Sequence, residues 1–113
     1  MISRRKIREM TEREKTLVDF ILKILSMSEH PITRSKLLEI CKDLNETDTI
    51  MNKAFYSLEK AGYVMSVSAI VKKYQLSAGY GMSGRTKLFF PDKADEWLQN
   101  NRDFRLRHLT DYK

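Results

Sequence analysis

The sequence predicts an α+β domain in which three helices are followed by a β-hairpin and by one or two further helices. Apolar residues recur at helical spacing in three successive stretches between Thr11 and Ala61. After Gly62 the pattern becomes β-rich, and three of the four glycines fall between residues 77 and 85. These glycines predict a hairpin tip longer than a two-residue turn.

The first helix is predicted from its start signal and its apolar face. Residues 11–14 read Thr-Glu-Arg-Glu and match the S/T-x-x-E capping box. Leu17, Ile21 and Leu25 then lie on one helical face. We expect the helix to end at His30-Pro31, because the residue before a proline is pushed out of the α region.

The next two helices are separated by a short polar break. Thr33 is a plausible N-cap for a helix that runs to about Leu44, with Cys41 inside its apolar stripe. The third helix starts within residues 45–48, which are rich in capping residues, and it ends at Gly62. A glycine suits this position because it adopts positive φ at no steric cost.

The hairpin is predicted from two β-rich runs. Residues 63–71 are partly alternating and predict one strand, and residues 86–90 predict the other. Pro91-Asp92 opens a short helix through Leu98. The chain is therefore divided into a basic N-terminal arm (1–10), one domain (11–100) and a C-terminal tail (101–113).

Composition narrows the function classes. Lys and Arg number 21 against 15 Asp and Glu, and the net charge of +6 permits an anionic partner, nucleic acid first and anionic membrane second. No apolar run approaches the roughly 20 residues that span a bilayer. The single cysteine, Cys41, excludes an intrachain disulfide and favours a cytoplasmic protein. Its place in an apolar stripe favours a buried structural thiol over a nucleophile.

Catalytic and metal sites are not predicted. The two histidines and one cysteine do not form a zinc motif, so neither a metal nor a cofactor is expected. The glycine cluster lies inside the predicted hairpin and not between a strand and a helix, as a phosphate loop requires. No Ser/His/Asp or Cys/His set is suggested, and we expect a protein that is not an enzyme.

Two stretches carry a family resemblance. The residues Leu58-Glu59-Lys60-Ala61-Gly62-Tyr63-Val64 resemble the exit from the third helix of winged-helix regulators, and residues 88–98 resemble the second wing strand running into a closing helix. Together with the order of elements, they make residues 11–100 similar to a winged helix-turn-helix domain, the superfamily of small stand-alone transcription regulators. The resemblance implies a transcriptional regulator that binds specific double-stranded DNA sequences with helix 3 in the major groove.

Carried onto this sequence, the resemblance gives a set of DNA-binding candidates on helix 3. They are Thr47, Thr49, Asn52, Lys53, Tyr56 and Ser57. Asn52 is the best base reader, because an amide can pair bidentately with adenine. Glu46 and Asp48 oppose this interpretation, since acids beside the groove repel phosphate, although Asp48 is also a plausible helix cap. A solvated helix face remains the competing interpretation.

Basic residues outside helix 3 form two further candidate groups. The wing candidates are Lys72, Lys73, Arg85 and Lys87, in a segment (70–90) that contains no acid. Lysines that protect an edge ribbon explain part of this pattern but not the absence of acids. The arm candidates are Arg4, Arg5 and Lys6, which suit a phosphate backbone or minor groove and equally suit a solvated terminus.

Partners follow from these assignments. Tail residues Phe104, Leu106, Leu109 and Tyr112 exceed what a small core needs, so a homodimer seam is predicted, with packing onto the tail's own domain as the other possibility. Double-stranded DNA is the expected partner and a membrane is not. The alternative is a winged-helix adaptor that binds protein without specific DNA binding.

Overall fold

The computed structural model describes residues 11–75, 83–104 and 106. This part of the chain is α+β, with five α-helices and a three-stranded antiparallel sheet. The elements are α1 Glu12–Ser26, β1 Ile32–Thr33, α2 Arg34–Cys41, a 3-10 turn Lys42–Leu44, α3 Asp48–Lys60, β2 Val64–Ser66, α4 Val67–Tyr74, β3 Lys87–Phe89 and α5 Ala94–Asn100. The predicted α+β class is confirmed.

Threonine side chains begin the first three helices. The hydroxyls of Thr11, Thr33 and Thr47 each accept a hydrogen bond from the backbone N–H three residues further on, at 3.2, 3.2 and 3.3 Å. Each bond satisfies one of the N–H groups that a helix start leaves without a partner inside the helix. The predicted starts of α1, α2 and α3 are confirmed. Gly62 has φ of +94° just after α3, as its position predicted.

Helix α1 ends earlier than predicted. Its last residue is Ser26 and its C-cap is Met27, so the helix stops before His30. Pro31 and Ile32 are buried, and Ile32 pairs with Phe89 of β3. The chain must therefore leave the helix in time to reach the sheet. Strand β1 was not predicted, because two residues are too few to show alternation.

The strand predicted over residues 63–71 is wrong beyond Ser66. Val67–Tyr74 forms α4, and the Ser66 hydroxyl caps it by accepting from the Ala69 N–H at 3.3 Å. The apolar residues of this segment fall at positions i, i+3, i+4 and i+7, which is a helical period. They are Val67, Ile70, Val71 and Tyr74. The β-branched side chains of Val67, Ile70 and Val71 suggested a strand, but the residues that pack into the core recur at the helical period.

This correction changes the predicted wing. Strands β2 and β3 are antiparallel as expected, with Val64 opposite Phe89. Their connection, however, begins with a helix rather than extending as a ribbon. Lys72 and Lys73 therefore lie on α4 and not on a strand. Most of the predicted glycine-rich tip (77–85) lies outside the described residues, which resume at residue 83.

The sheet separates two apolar cores. The strand order is β1-β3-β2, so β3 is central. Phe89 packs into a core formed mainly by α1, α2 and α3, whereas Leu88 and Phe90 pack with α4 and α5. Successive side chains of a strand point to opposite faces, so the central strand is buried on both sides. Helix α3 and the helices α4 and α5 therefore pack in cores on opposite faces of the same strand.

The C-terminal part of the described chain completes the second core. Phe104 and Leu106 are 8% and 2% exposed, and Phe104 packs edge-to-face on Trp97 with ring centroids 4.9 Å apart. Two of the four tail residues that suggested a dimer seam are therefore buried in their own domain. Leu109 and Tyr112 lie outside the described residues. The homodimer stays a prediction.

Candidate nucleic-acid interface

Helix α3 separates an apolar face from an exposed polar one. Met51, Ala54, Phe55 and Leu58 are buried in the first core. On the opposite side, four of the predicted contact residues are exposed: Thr49, Asn52, Lys53 and Tyr56. Tyr56 is 61% exposed, and the Lys60 ammonium lies 5.5 Å from its ring centroid. The structure therefore places these residues together on one open face.

Two other predicted members of this group take part in helix structure. Thr47 is the N-cap of α3 and its hydroxyl accepts from the Ile50 N–H. Ser57 is half-buried, and its hydroxyl donates to the Lys53 carbonyl at 3.1 Å. Bonds of this kind turn a side chain back on its own helix. Thr49, Asn52, Lys53 and Tyr56 are left as the residues most available for outward contacts.

Arg34 joins this face although the sequence did not single it out. One guanidinium nitrogen, Nη2, donates to Asn52 Oδ1 at 2.9 Å, and the guanidinium carbon lies 5.1 Å from the Phe55 ring centroid. Arg34 is the first residue of α2, directly after the N-cap Thr33. The available signal was its place at the start of the α-helix that directly precedes α3.

Acidic residues at both ends of α3 form ion pairs with basic residues of other elements. Glu46, before the helix, forms an ion pair with Arg13 of α1. Glu59, near its end, pairs with Lys87 of β3 at 3.0 Å. Asp48 lies in the first turn, where the helix dipole favours a negative charge. The repulsion that Glu46 was expected to exert is therefore reduced by its partner, and Lys87 is partly neutralised by Glu59.

The predicted wing cations fall into two classes. Lys73 Nζ lies 2.6 Å from Asp95 Oδ1, and the Tyr74 hydroxyl donates to the same oxygen at 3.0 Å. Two hydrogen bonds hold the pKa of Asp95 below its ordinary value, and the bond from Lys73 has a larger effect than the bond from Tyr74. Lys72 and Arg85 are exposed, and neither forms an ion pair with another residue in the described ranges. Those two cations remain available to an anion.

The arm residues Arg4, Arg5 and Lys6 lie outside the described residues, so their predicted role is untested.

Other site chemistries have little support in residues 11–75, 83–104 and 106. Within those ranges no three His, Cys, Asp or Glu residues lie close enough together to hold a metal ion, and no helix is long and apolar enough to cross a membrane. Cys41 is fully buried, and this burial raises the pKa of its thiol. A raised pKa reduces the thiolate fraction, which is the nucleophilic form. The polar face of α3 is consequently the strongest candidate site.

Comparison of the chain with protein-family models, with curated proteins and with solved structures gives no match.

Proposed function

We propose that the protein binds specific double-stranded DNA sequences and acts as a transcriptional regulator, with α3 in the major groove. The observation that carries this proposal is the open row Asn52, Lys53 and Tyr56, with Arg34 beside it, on a helix whose other face is anchored in the core. The order of elements and the β1-β3-β2 sheet are compatible with a winged helix-turn-helix domain.

The dimensions of the helix suit the groove. Thr49 and Lys60 are separated by about 16 Å along the axis at 1.5 Å per residue. An α-helix with its side chains is about 10–12 Å wide, and the major groove of B-DNA is about 12 Å wide. Asn52 and Lys53 lie in the N-terminal half of α3. In helix-turn-helix complexes this end of the recognition helix lies nearest the base edges.

The charges support contact with a polyanion. Arg34, Lys53 and Lys60 lie on or beside the exposed face of α3. Glu46 and Glu59, the acids that flank this helix, each have a cationic partner. In the proposed complex Lys53 contacts a phosphate or a guanine, and Lys72 and Arg85 contact the backbone. Each neutralised phosphate releases counterions and makes affinity fall with salt.

The proposal is tested by selecting bound sequences from random duplexes at two salt concentrations. Affinity for the selected duplex is then measured for the unchanged protein, for Lys53→Ala and for Lys23→Ala. Lys23 is exposed on α1, on the side away from the core that α1 shares with α3, so its variant is a charge-matched control. Lys53→Ala should reduce the slope of log affinity against log salt by about 1. Lys23→Ala should leave the slope unchanged.

Two outcomes would contradict the proposal. One is the absence of any selected sequence at low salt, and the other is an equal response of the two lysine variants. If the protein selects no duplex and a pull-down with it recovers one stable protein partner, the winged-helix adaptor is favoured instead. Sedimentation of the protein with and without the selected duplex tests the predicted homodimer. If the protein is a homodimer, the selected duplex should contain two half-sites about one helical turn apart.

A further inference from the structure

Arg34 and Asn52 form a joined pair on the candidate interface. The residues are 18 positions apart in sequence, and the guanidinium of one donates to the side-chain oxygen of the other at 2.9 Å. Phe55, which is 6% exposed, lies under the guanidinium at 5.1 Å. Arg34 is half-buried, whereas Asn52 is exposed. The pair therefore has a supported inner side and an open outer side.

The chemistry of arginine fixes the orientation of the Asn52 amide. A guanidinium has five N–H donors and no acceptor, so it can only face the amide oxygen. The amide nitrogen Nδ2, with its two N–H donors, is consequently the branch of the terminal amide that does not face the guanidinium. The outward groups of the pair are thus predominantly donors: the Asn52 NH₂ and the guanidinium N–H groups that do not bind Oδ1.

This donor character bears on which base the pair suits. Bidentate recognition of adenine requires one acceptor and one donor from the same amide, facing N6–H and N7. Here one of the two lone pairs of the amide oxygen already accepts from Arg34, and the fixed positive charge beside that oxygen opposes the approach of the adenine amino group. Guanine presents two acceptors, O6 and N7, at the same edge of the groove. A set of donors with a positive charge complements guanine.

We propose that Arg34 and Asn52 act together as one reading unit that selects guanine, and that Arg34 prevents Asn52 from reading adenine. This inference rests on the proposed function, because it requires α3 to lie in the major groove. It replaces the adenine preference that Asn52 alone predicted. It also makes Arg34 a specificity-determining residue and not only a contributor of positive charge.

The experiment compares base preferences of three variants by selection from random duplexes. Arg34→Met keeps an unbranched stem over Phe55 and removes every donor. Arg34→Lys keeps the charge and loses the planar fork. Lys36→Met is the matched control, since Lys36 is an exposed cation in the same turn of α2. Thermal unfolding followed by circular dichroism verifies that each variant is folded.

The unchanged protein should prefer guanine at one position by on the order of 10- to 100-fold, the range of a good bidentate contact. Arg34→Met should lose this preference and gain one for adenine at the same position, because both the hydrogen bond to the amide oxygen and the positive charge beside it are removed. Arg34→Lys should keep most of the salt dependence but reduce the guanine preference. Lys36→Met should weaken binding to all sequences equally and leave the preference intact.

The possible failures are distinguishable. If the unchanged protein selects no duplex, the proposed function fails, and this inference fails with it. If the protein binds specific duplexes but prefers adenine at the Asn52 position, or keeps its guanine preference in Arg34→Met, the reading unit is refuted while the proposed function stands. A purely electrostatic role for Arg34 predicts that Arg34→Lys and the unchanged protein have the same base preference.

Discussion

Substitutions at two neighbouring positions of α4 distinguish a helix from the strand that its β-branched residues suggest. Ile70 is fully buried in the second core, whereas Ala69 is exposed. In a strand that alternates from Met65, the inward residues would be Val67, Ala69 and Val71, and Ile70 would face outward. The two structures therefore predict opposite effects of substitution at positions 69 and 70.

The expected magnitudes follow from burial and capping. Ile70→Ala removes three buried carbons at about 0.8 kcal/mol each, and the remaining cavity brings the loss of unfolding free energy to about 3–4 kcal/mol. Ala69→Glu instead places a carboxylate three residues after the N-cap Ser66, which completes the capping-box pattern. We expect Ala69→Glu to be neutral or to stabilise the protein by a few tenths of a kcal/mol.

The assay is urea unfolding followed by circular dichroism. With a slope of about 1.5–2 kcal/mol per molar urea, Ile70→Ala should lower the midpoint by about 2 M, and Ala69→Glu should leave it within about 0.3 M. A small effect of Ile70→Ala together with severe destabilisation by Ala69→Glu would refute the helix. Equal losses in both variants would also contradict it, because only one of the two positions is buried.

Three further predictions concern a cap, a pH dependence and an ion pair. Thr47→Ala should lower the unfolding free energy by about 1 kcal/mol, and Thr47→Ser should restore most of it in the same urea assay. The pKa of Asp95 is held below its ordinary value of 3.8, first by the bond from Lys73, so its stabilising effect is full above that value and is lost as the pH falls through the lowered pKa. The stability difference between the unchanged protein and Asp95→Asn should therefore shrink between pH 6 and pH 2.5, and a constant difference would contradict this. Glu59→Gln should free Lys87, raise duplex affinity and steepen the slope of log affinity against log salt by about 1. Asp19→Asn makes the same charge change at an exposed position of α1 and should have none of these effects.

Local signals in the sequence sufficed for the starts of the first three helices. Thr11, Thr33 and Thr47 have side chains that bond to backbone only three residues away, so short-range chemistry determines where α1, α2 and α3 begin. Gly62 is similar, because its positive φ depends on its own lack of a side chain. These predictions did not require knowledge of which elements pack together.

Features that depend on packing were missed. In residues 67–74 the β-branched composition and the helical period conflict, and burial of Val67 and Ile70 against Leu88 decides between them. Strand β1 is formed by its pairing with β3, in which Ile32 lies opposite Phe89 and Thr33 opposite Leu88. The run 88–90 did contain a usable signal, since consecutive apolar residues are typical of a strand that is covered on both faces.

The candidate site was predictable only in part, for a related reason. The helical period places Asn52, Lys53 and Tyr56 on one face of α3 without further information. The contact between Arg34 and Asn52 joins residues on two helices and depends on their crossing. No spacing rule within one element predicts such a contact. Arg34, to which we assign the proposed guanine preference, is therefore the residue that the sequence did not identify.

The distribution of charge along the sequence also differs from the distribution of charge on the folded surface. Residues 70–90 contain no acid, which suggested a uniformly basic wing. Folding brings Asp95 to Lys73 and Glu59 to Lys87, so two of the four predicted cations have acidic partners supplied by helices outside the segment. Exposed pairs of this kind contribute about 0–1 kcal/mol to stability, yet they reduce the positive potential where they lie. If the proposed DNA complex forms, the positive potential at the DNA is therefore expected to come from Lys72 and Arg85 and from the α3 face rather than from the whole wing.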